Sequence, residues 1–124
     1  MSKLEEIMSV SLGYNPEGKD SFKNEGVRLM RKLAKDLGLS TAERDIRFNP
    51  GGIAVSGDVI LHTDHVYVHL SQSCLGRGHE VYYRKCKGRR DYTGEINFWA
   101  TAGELASRKL AEKIKKLLEV PHES

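Results

Sequence analysis

The chain reads as an α+β two-layer sandwich, an antiparallel β-meander of three to five strands with two long helices, one N-terminal and one C-terminal, packed on one face. Three observations predict it. Residues 53–86 alternate apolar and polar side chains with the period of two of half-buried strands. Residues 21–37 and 101–119 each repeat apolar residues at helical spacing. One sheet with one apolar face, and two helices with one stripe each, bury all their apolar surface most simply when both helices cover the same side of the sheet.

The elements follow in order. Ser2-x-x-Glu5 has the form of a capping box, and Leu4, Ile7 and Met8 share a helical face, which predicts a short helix over 3–11. Residues 13–18 have loop chemistry, with two glycines, Asn15 and Pro16. Asp20 or Ser21 caps the next helix, which buries Phe22, Gly26, Leu29, Met30, Leu33 and Leu37 and exposes Lys23, Arg28, Arg31, Lys32 and Lys35. Gly38 followed by Leu39 is a glycine stop. Residues 40–44 form a turn or one helical turn. Asp45–Asn49 reads as an edge strand with Ile46 and Phe48 inward, turned back at 49–52 so that Phe48 faces Ile53 and Ile46 faces Val55.

Register within the meander is set by parity, because a one-residue slip sends every side chain to the other face. With Thr63-Asp64 as a two-residue hairpin, His62 faces His65 and Leu61 faces Val66. With Ser71 opposite Glu80, Leu70 faces Val81 and Val68 faces Tyr83. One face is then Val55, Val59, Leu61, Val66, Val68, Leu70, Val81 and Tyr83, a core. Lys85 ends that row with its ammonium expected beyond the sheet edge. The outward face has three rows: Asp58–His69–Tyr82, Ile60–Tyr67–Arg84 and His62–His65–Cys86.

Residues 87–94 form a charged, glycine-containing loop in which Asp91 organises the backbone. Glu95–Ala100 is a short strand or extended strip with Ile96 and Phe98 inward. Thr101-x-x-Glu104 caps a helix running to about Glu119, with Leu105, Ala106, Leu110, Ile114, Leu117 and Leu118 buried, and Pro121 ends it. The expected division is an N-terminal helix and loop segment over 1–20, one domain over 21–120 and a tail over 121–124. The order of elements resembles the double-stranded-RNA-binding domain in outline only. The basic cluster that opens the second helix of that family has no counterpart in Thr101–Ser107.

The 124 residues suit one domain with its own core. A formal charge of +3 and a pI of about 8.9 admit an anionic partner without requiring one. No apolar run approaches the roughly 18 residues of a membrane span, and the N-terminus lacks a secretory pattern. The expected location is the cytoplasm. Cys74 and Cys86 lie at opposite ends of their hairpin, too far apart to bond, and are expected as thiols.

Three functions compete for the outward face. Tyr67 and Tyr82 beside Arg84 make a stacking platform for single-stranded nucleic acid, with Lys85, Lys87, Arg89 and Arg90 supplying phosphate contacts. Ile60, Tyr67, Tyr82 and His69 make an apolar-aromatic strip suited to a protein partner or a homodimer, as in small inhibitors carried by phages or mobile elements. His62, His65 and Cys86 hold the donor types of a zinc site, although their spacing matches no zinc signature. Asp58–His69–Tyr82 brings an acid, an imidazole and a phenol together. The favoured expectation is a non-enzymatic nucleic-acid-binding protein without a cofactor, with a protein-interaction or inhibitor module as the alternative and a zinc or histidine-based site at His62, His65 and Cys86 as the second.

Overall fold

A computed structural model describes residues 2–8, 16–50, 57–71, 80–91 and 95–119. Its elements are α1 (Lys3–Met8), α2 (Pro16–Asp36), β1 (Arg44–Asn49), β2 (Asp58–Thr63), β3 (Val66–Ser71), β4 (Val81–Lys85), β5 (Phe98–Ala100), α3 (Ala102–Ala106) and α4 (Lys109–Glu119). The five strands form one antiparallel sheet in the order β1-β2-β3-β4-β5. Helices cover one face of it, the two-layer arrangement that the periodicities require.

The core is the inward set of the meander, Val59, Leu61, Val66, Val68, Leu70, Val81 and Tyr83, joined by Phe22, Leu29, Met30 and Leu33 of α2 and by Leu105, Leu110 and Ile114 of the C-terminal helices. Gly26 allows α2 to lie close to the sheet. A Cβ there would stand 2.8 Å from Val59 Cγ2 and 3.2 Å from Leu70 Cδ2.

Both ends of α2 have local causes. The helix starts at Pro16, earlier than the expected cap at Asp20 or Ser21. Proline is favoured in the first helical turn, where its missing N–H costs nothing and its φ is already helical. The helix ends in a Schellman motif. Gly38 sits at φ 77°, its N–H donates to the Lys35 carbonyl, and the Leu39 N–H donates to the Ala34 carbonyl, both at 2.9 Å. The Ser2 capping box is formed: Glu5 N–H donates to Ser2 Oγ at 3.2 Å, and Ser2 N–H to Glu5 Oε1 at 3.1 Å.

The single C-terminal helix expected from Thr101 is instead two. Thr101 caps α3 as its motif predicts, accepting from Glu104 N–H at 3.0 Å. Ser107 then leaves helical geometry, at φ −107° and ψ −173°. Its hydroxyl donates to the Glu104 carbonyl and accepts from Lys109 N–H, each at 3.2 Å. A serine that serves the backbone on both sides ends one helix and starts the next. The break also puts Arg108 and Lys109 at the opening of α4.

Strand parity follows the expectation, but register is corrected in two places. β3 pairs with β4 as predicted, Val68 facing Tyr83 and Leu70 facing Val81. Between β2 and β3 the pairing is displaced by two residues, so that Leu61 faces Val68 and His62 faces Tyr67. The cause is Thr63. Its hydroxyl accepts from the N–H groups of His65 and Val66 at 3.1 and 3.0 Å and donates to the Val66 carbonyl at 3.2 Å. This holds Thr63 in the strand and leaves Asp64-His65 as the turn. β1 pairs further along β2 than expected, Ile46 with Leu61 and Phe48 with Val59. The expected partners Ile53 and Val55 lie outside the described residues, as does Cys74. Both displacements are even, so among the described strand residues no side chain changes face.

Candidate nucleic-acid interface

The face turned away from the helices carries two long rows. One runs Arg47, Ile60, His69, Tyr82, Trp99 across all five strands. The other runs Asp45, His62, Tyr67, Arg84 across four of them. Corrected register therefore rebuilds the expected rows: Tyr67 and Arg84 remain opposite one another, His62 moves from His65 to Tyr67, and Ile60 moves beside His69.

The second row is a closed polar-aromatic layer rather than an open platform. Tyr67 is 7 % exposed and Arg84 8 %. The Arg84 guanidinium lies 4.2 Å from the Tyr67 ring centre and 5.6 Å from that of Tyr82, and its Nη1 donates to Asn97 Oδ1 at 3.3 Å. Burial, followed by the neighbouring Tyr82 phenol, pushes the Tyr67 hydroxyl up to about 12. The expectation that Tyr67 and Arg84 stack on a ligand is thus corrected, because their faces are turned on each other. Ile60 is buried as well, which closes the strip expected as a protein interface.

The first row is more open towards β5. His69 and Tyr82 stack at 4.6 Å with 24° between ring planes. Tyr82 meets Trp99 at 5.7 Å and 60°. Trp99 is 42 % exposed. Asp58 Oδ2 lies 3.2 Å from His69 Nε2, reaching it diagonally although Asp58 is paired with Ser71. Parallel rings put the face of Tyr82, not its hydroxyl, against His69, so this group does not form a proton relay through Tyr82.

The loop after β4 folds over the end of the face. Asp91 organises it as expected, accepting from Lys87 N–H at 3.0 Å while its own N–H donates to the Gly88 carbonyl at 3.1 Å. Arg89 ties the loop down through Asp64 at 3.2 Å and Asp45 at 3.6 Å. The expected phosphate contact Arg89 is therefore engaged with two carboxylates. Lys87 and Arg90 are exposed. Lys85, expected to extend beyond the sheet, is 3 % exposed at the end of the inward row.

His62 is wholly buried under this loop. Its Nε2 lies 3.0 Å from the Gly88 carbonyl and its Nδ1 3.4 Å from Arg47 Nη2. A carbonyl only accepts and a guanidinium only donates, so the ring is neutral with its proton on Nε2. Burial lowers its pKa. Cys86 is buried, donates to the Thr63 carbonyl at 3.3 Å and is pushed up by burial. His65 is exposed in the turn. The row His62–His65–Cys86 is thus not assembled, because the two-residue displacement puts His62 opposite Tyr67 rather than His65; His65 and Cys86 stay neighbours, Cys86 N–H donating to the His65 carbonyl at 3.0 Å. Among the described residues no three His, Cys, Asp or Glu side chains are grouped to hold a metal ion. Among the described residues, too, no helix is long and apolar enough to cross a membrane.

Trp99, Asn97 and Arg47 are members of this face that the sequence reading missed. The signal was present. Phe98 inward makes Asn97 and Trp99 outward, and Ile46 and Phe48 inward make Arg47 outward. Ile96, expected inward, is 73 % exposed. Glu95 N–H, rather than that of Ile96, donates to the Lys85 carbonyl at 3.2 Å, one residue out of step with the β4–β5 ladder. No protein-family model, curated protein or solved structure matches the chain.

Proposed function

We propose that the protein binds single-stranded nucleic acid on the β4–β5 side of its outward face. The observation that carries this reading is the aromatic row His69–Tyr82–Trp99, in which His69 stacks on Tyr82, Trp99 is tilted against Tyr82, and the indole at the end is partly exposed. Exposed cations on the same face and its covering loop, Arg47, Lys87 and Arg90, suit a phosphate backbone. In this reading Tyr67 and Arg84 support the platform from the adjoining row, and Trp99 takes the base.

Fluorescence anisotropy with labelled single-stranded DNA and RNA at low salt tests it. Trp99→Ala should weaken binding at least about tenfold without changing the slope against salt, the signature of a lost stack. Lys87→Ala with Arg90→Ala should weaken all sequences together and flatten that slope. No binding to any oligonucleotide at low salt rejects the reading.

A protein partner is the second reading. What favours it is the exposure of Ile96 and Phe98 beside Trp99. A monomer at high micromolar concentration in sedimentation disposes of its homodimeric form.

A further inference from the structure

Resting on that reading, we infer that Asn97 selects the base stacked on Trp99, favouring bases that carry a carbonyl over those that carry an amino group at the equivalent ring position. Arg84 sets the orientation of Asn97. Its guanidinium is held against the Tyr67 ring at 4.2 Å and is almost wholly enclosed. A guanidinium has donors only, so the Asn97 atom that meets its Nη1 at 3.3 Å is the amide oxygen. That fixes the direction of the Asn97 amide: the oxygen faces the sheet, and the NH2 group is left for whatever approaches.

Asn97 is exposed and lies two residues before Trp99 on the same face, since Trp99 pairs with Tyr82 and Asn97 reaches Arg84. Alternate residues of an extended strand are about 7 Å apart, so the edge of a base lying on the indole comes within reach of the Asn97 amide. A free asparagine reads adenine with both its oxygen and its NH2. Here the oxygen is turned to Arg84, and the NH2 donors are what the amide presents outward. Thymine and uracil answer with O4, and guanine with O6. Cytosine and adenine present an N–H2 donor at the same ring position, and two donors do not bond. Arg84 is then a positioning residue, and Asn97 is the one that touches the base.

Trp99 is the only tryptophan of the chain, so quenching of intrinsic fluorescence reports a base on its ring directly. Short oligo(dT) and oligo(dC) of equal length, titrated at neutral pH and low salt, exchange the O4 acceptor for an N4–H2 donor, together with the N3 proton and the C5 methyl group, so the Asn97 variants isolate the contact to the exocyclic group. Oligo(dT) should bind about three- to tenfold more tightly, the worth of one neutral hydrogen bond. Asn97→Ala should bring the two to the same affinity. Asn97→Asp, an acceptor without a donor, should reverse the order. Equal quenching by both oligonucleotides in the unaltered protein overturns the inference and leaves nucleic-acid binding standing. An unchanged preference in Asn97→Ala and Asn97→Asp also overturns it. Absence of quenching by either, together with absence of anisotropy change, removes the binding reading itself.

Discussion

His62 shows how one residue can be read correctly for its face and wrongly for its role. Alternation puts it outward, and an outward histidine in water titrates freely. Here it is buried beneath the loop after β4, donating to the Gly88 carbonyl, and burial lowers its pKa. The linkage has a definite sign. Well above the unfolded value of about 6.5 the ring is neutral in both states and contributes no pH dependence. As pH falls through that value the unfolded chain takes up the proton first, and stability is lost until the folded pKa is reached. The urea midpoint should therefore decline between about pH 7 and 5, and His62→Gln should flatten that decline. Identical slopes for the two proteins would show that His62 is not its source. Glu25, held below its usual range by hydrogen bonds from Arg28, acts in a lower window, as acid approaches the carboxylate range.

At the scale of elements, signals written in local backbone chemistry were legible, and those written in loop length were not. The capping boxes at Ser2 and Thr101 and the glycine stop at Gly38 form where the sequence puts them, because each needs only residues a few positions apart. Ser107 was overlooked because its neighbours keep helical periodicity through the break. Its hydroxyl makes Ser107→Ala a test of the second start: loss of the cap on Lys109 should cost about 1 kcal/mol in chemical denaturation. A variant as stable as the parent would mean that α4 starts without help from that hydroxyl. Register erred for a different reason. Parity is enforced by burial, so the described strand residues of the meander kept their faces. Position along the partner strand is set by the turn, and Thr63 acting as both strand residue and turn acceptor has no sequence signature as plain as Asn-Gly. The zinc row depended on that position and dissolved with it, whereas Tyr67–Arg84, set by the correctly read β3–β4 pairing, survived.

Across the whole molecule, the sheet separates two basic surfaces. Arg31 and Lys35 of α2 are exposed on the helix layer, while Arg47, Lys87 and Arg90 belong to the other side. Layers pack about 10 Å apart and the Debye length at physiological salt is about 8 Å, so the helix-side charges are largely screened from a ligand on the sheet. Arg31→Ser with Lys35→Ser should leave oligonucleotide affinity within about twofold at physiological salt. A loss as large as that of Lys87→Ala with Arg90→Ala would move the binding surface to the helices.

The two margins of the sheet differ in kind. β1 bears Arg44, Asp45 and Arg47, whose hydration discourages a neighbouring molecule from adding a strand. From Ile96 to Ala100 there is no charge, and two aromatic rings and an isoleucine meet solvent. Among the described residues, the uncharged apolar margin is that of β5. A polyanion lying over Trp99 would shelter part of that margin beneath its own hydration, so that the liganded form should stay dispersed at concentrations where the bare form begins to cluster.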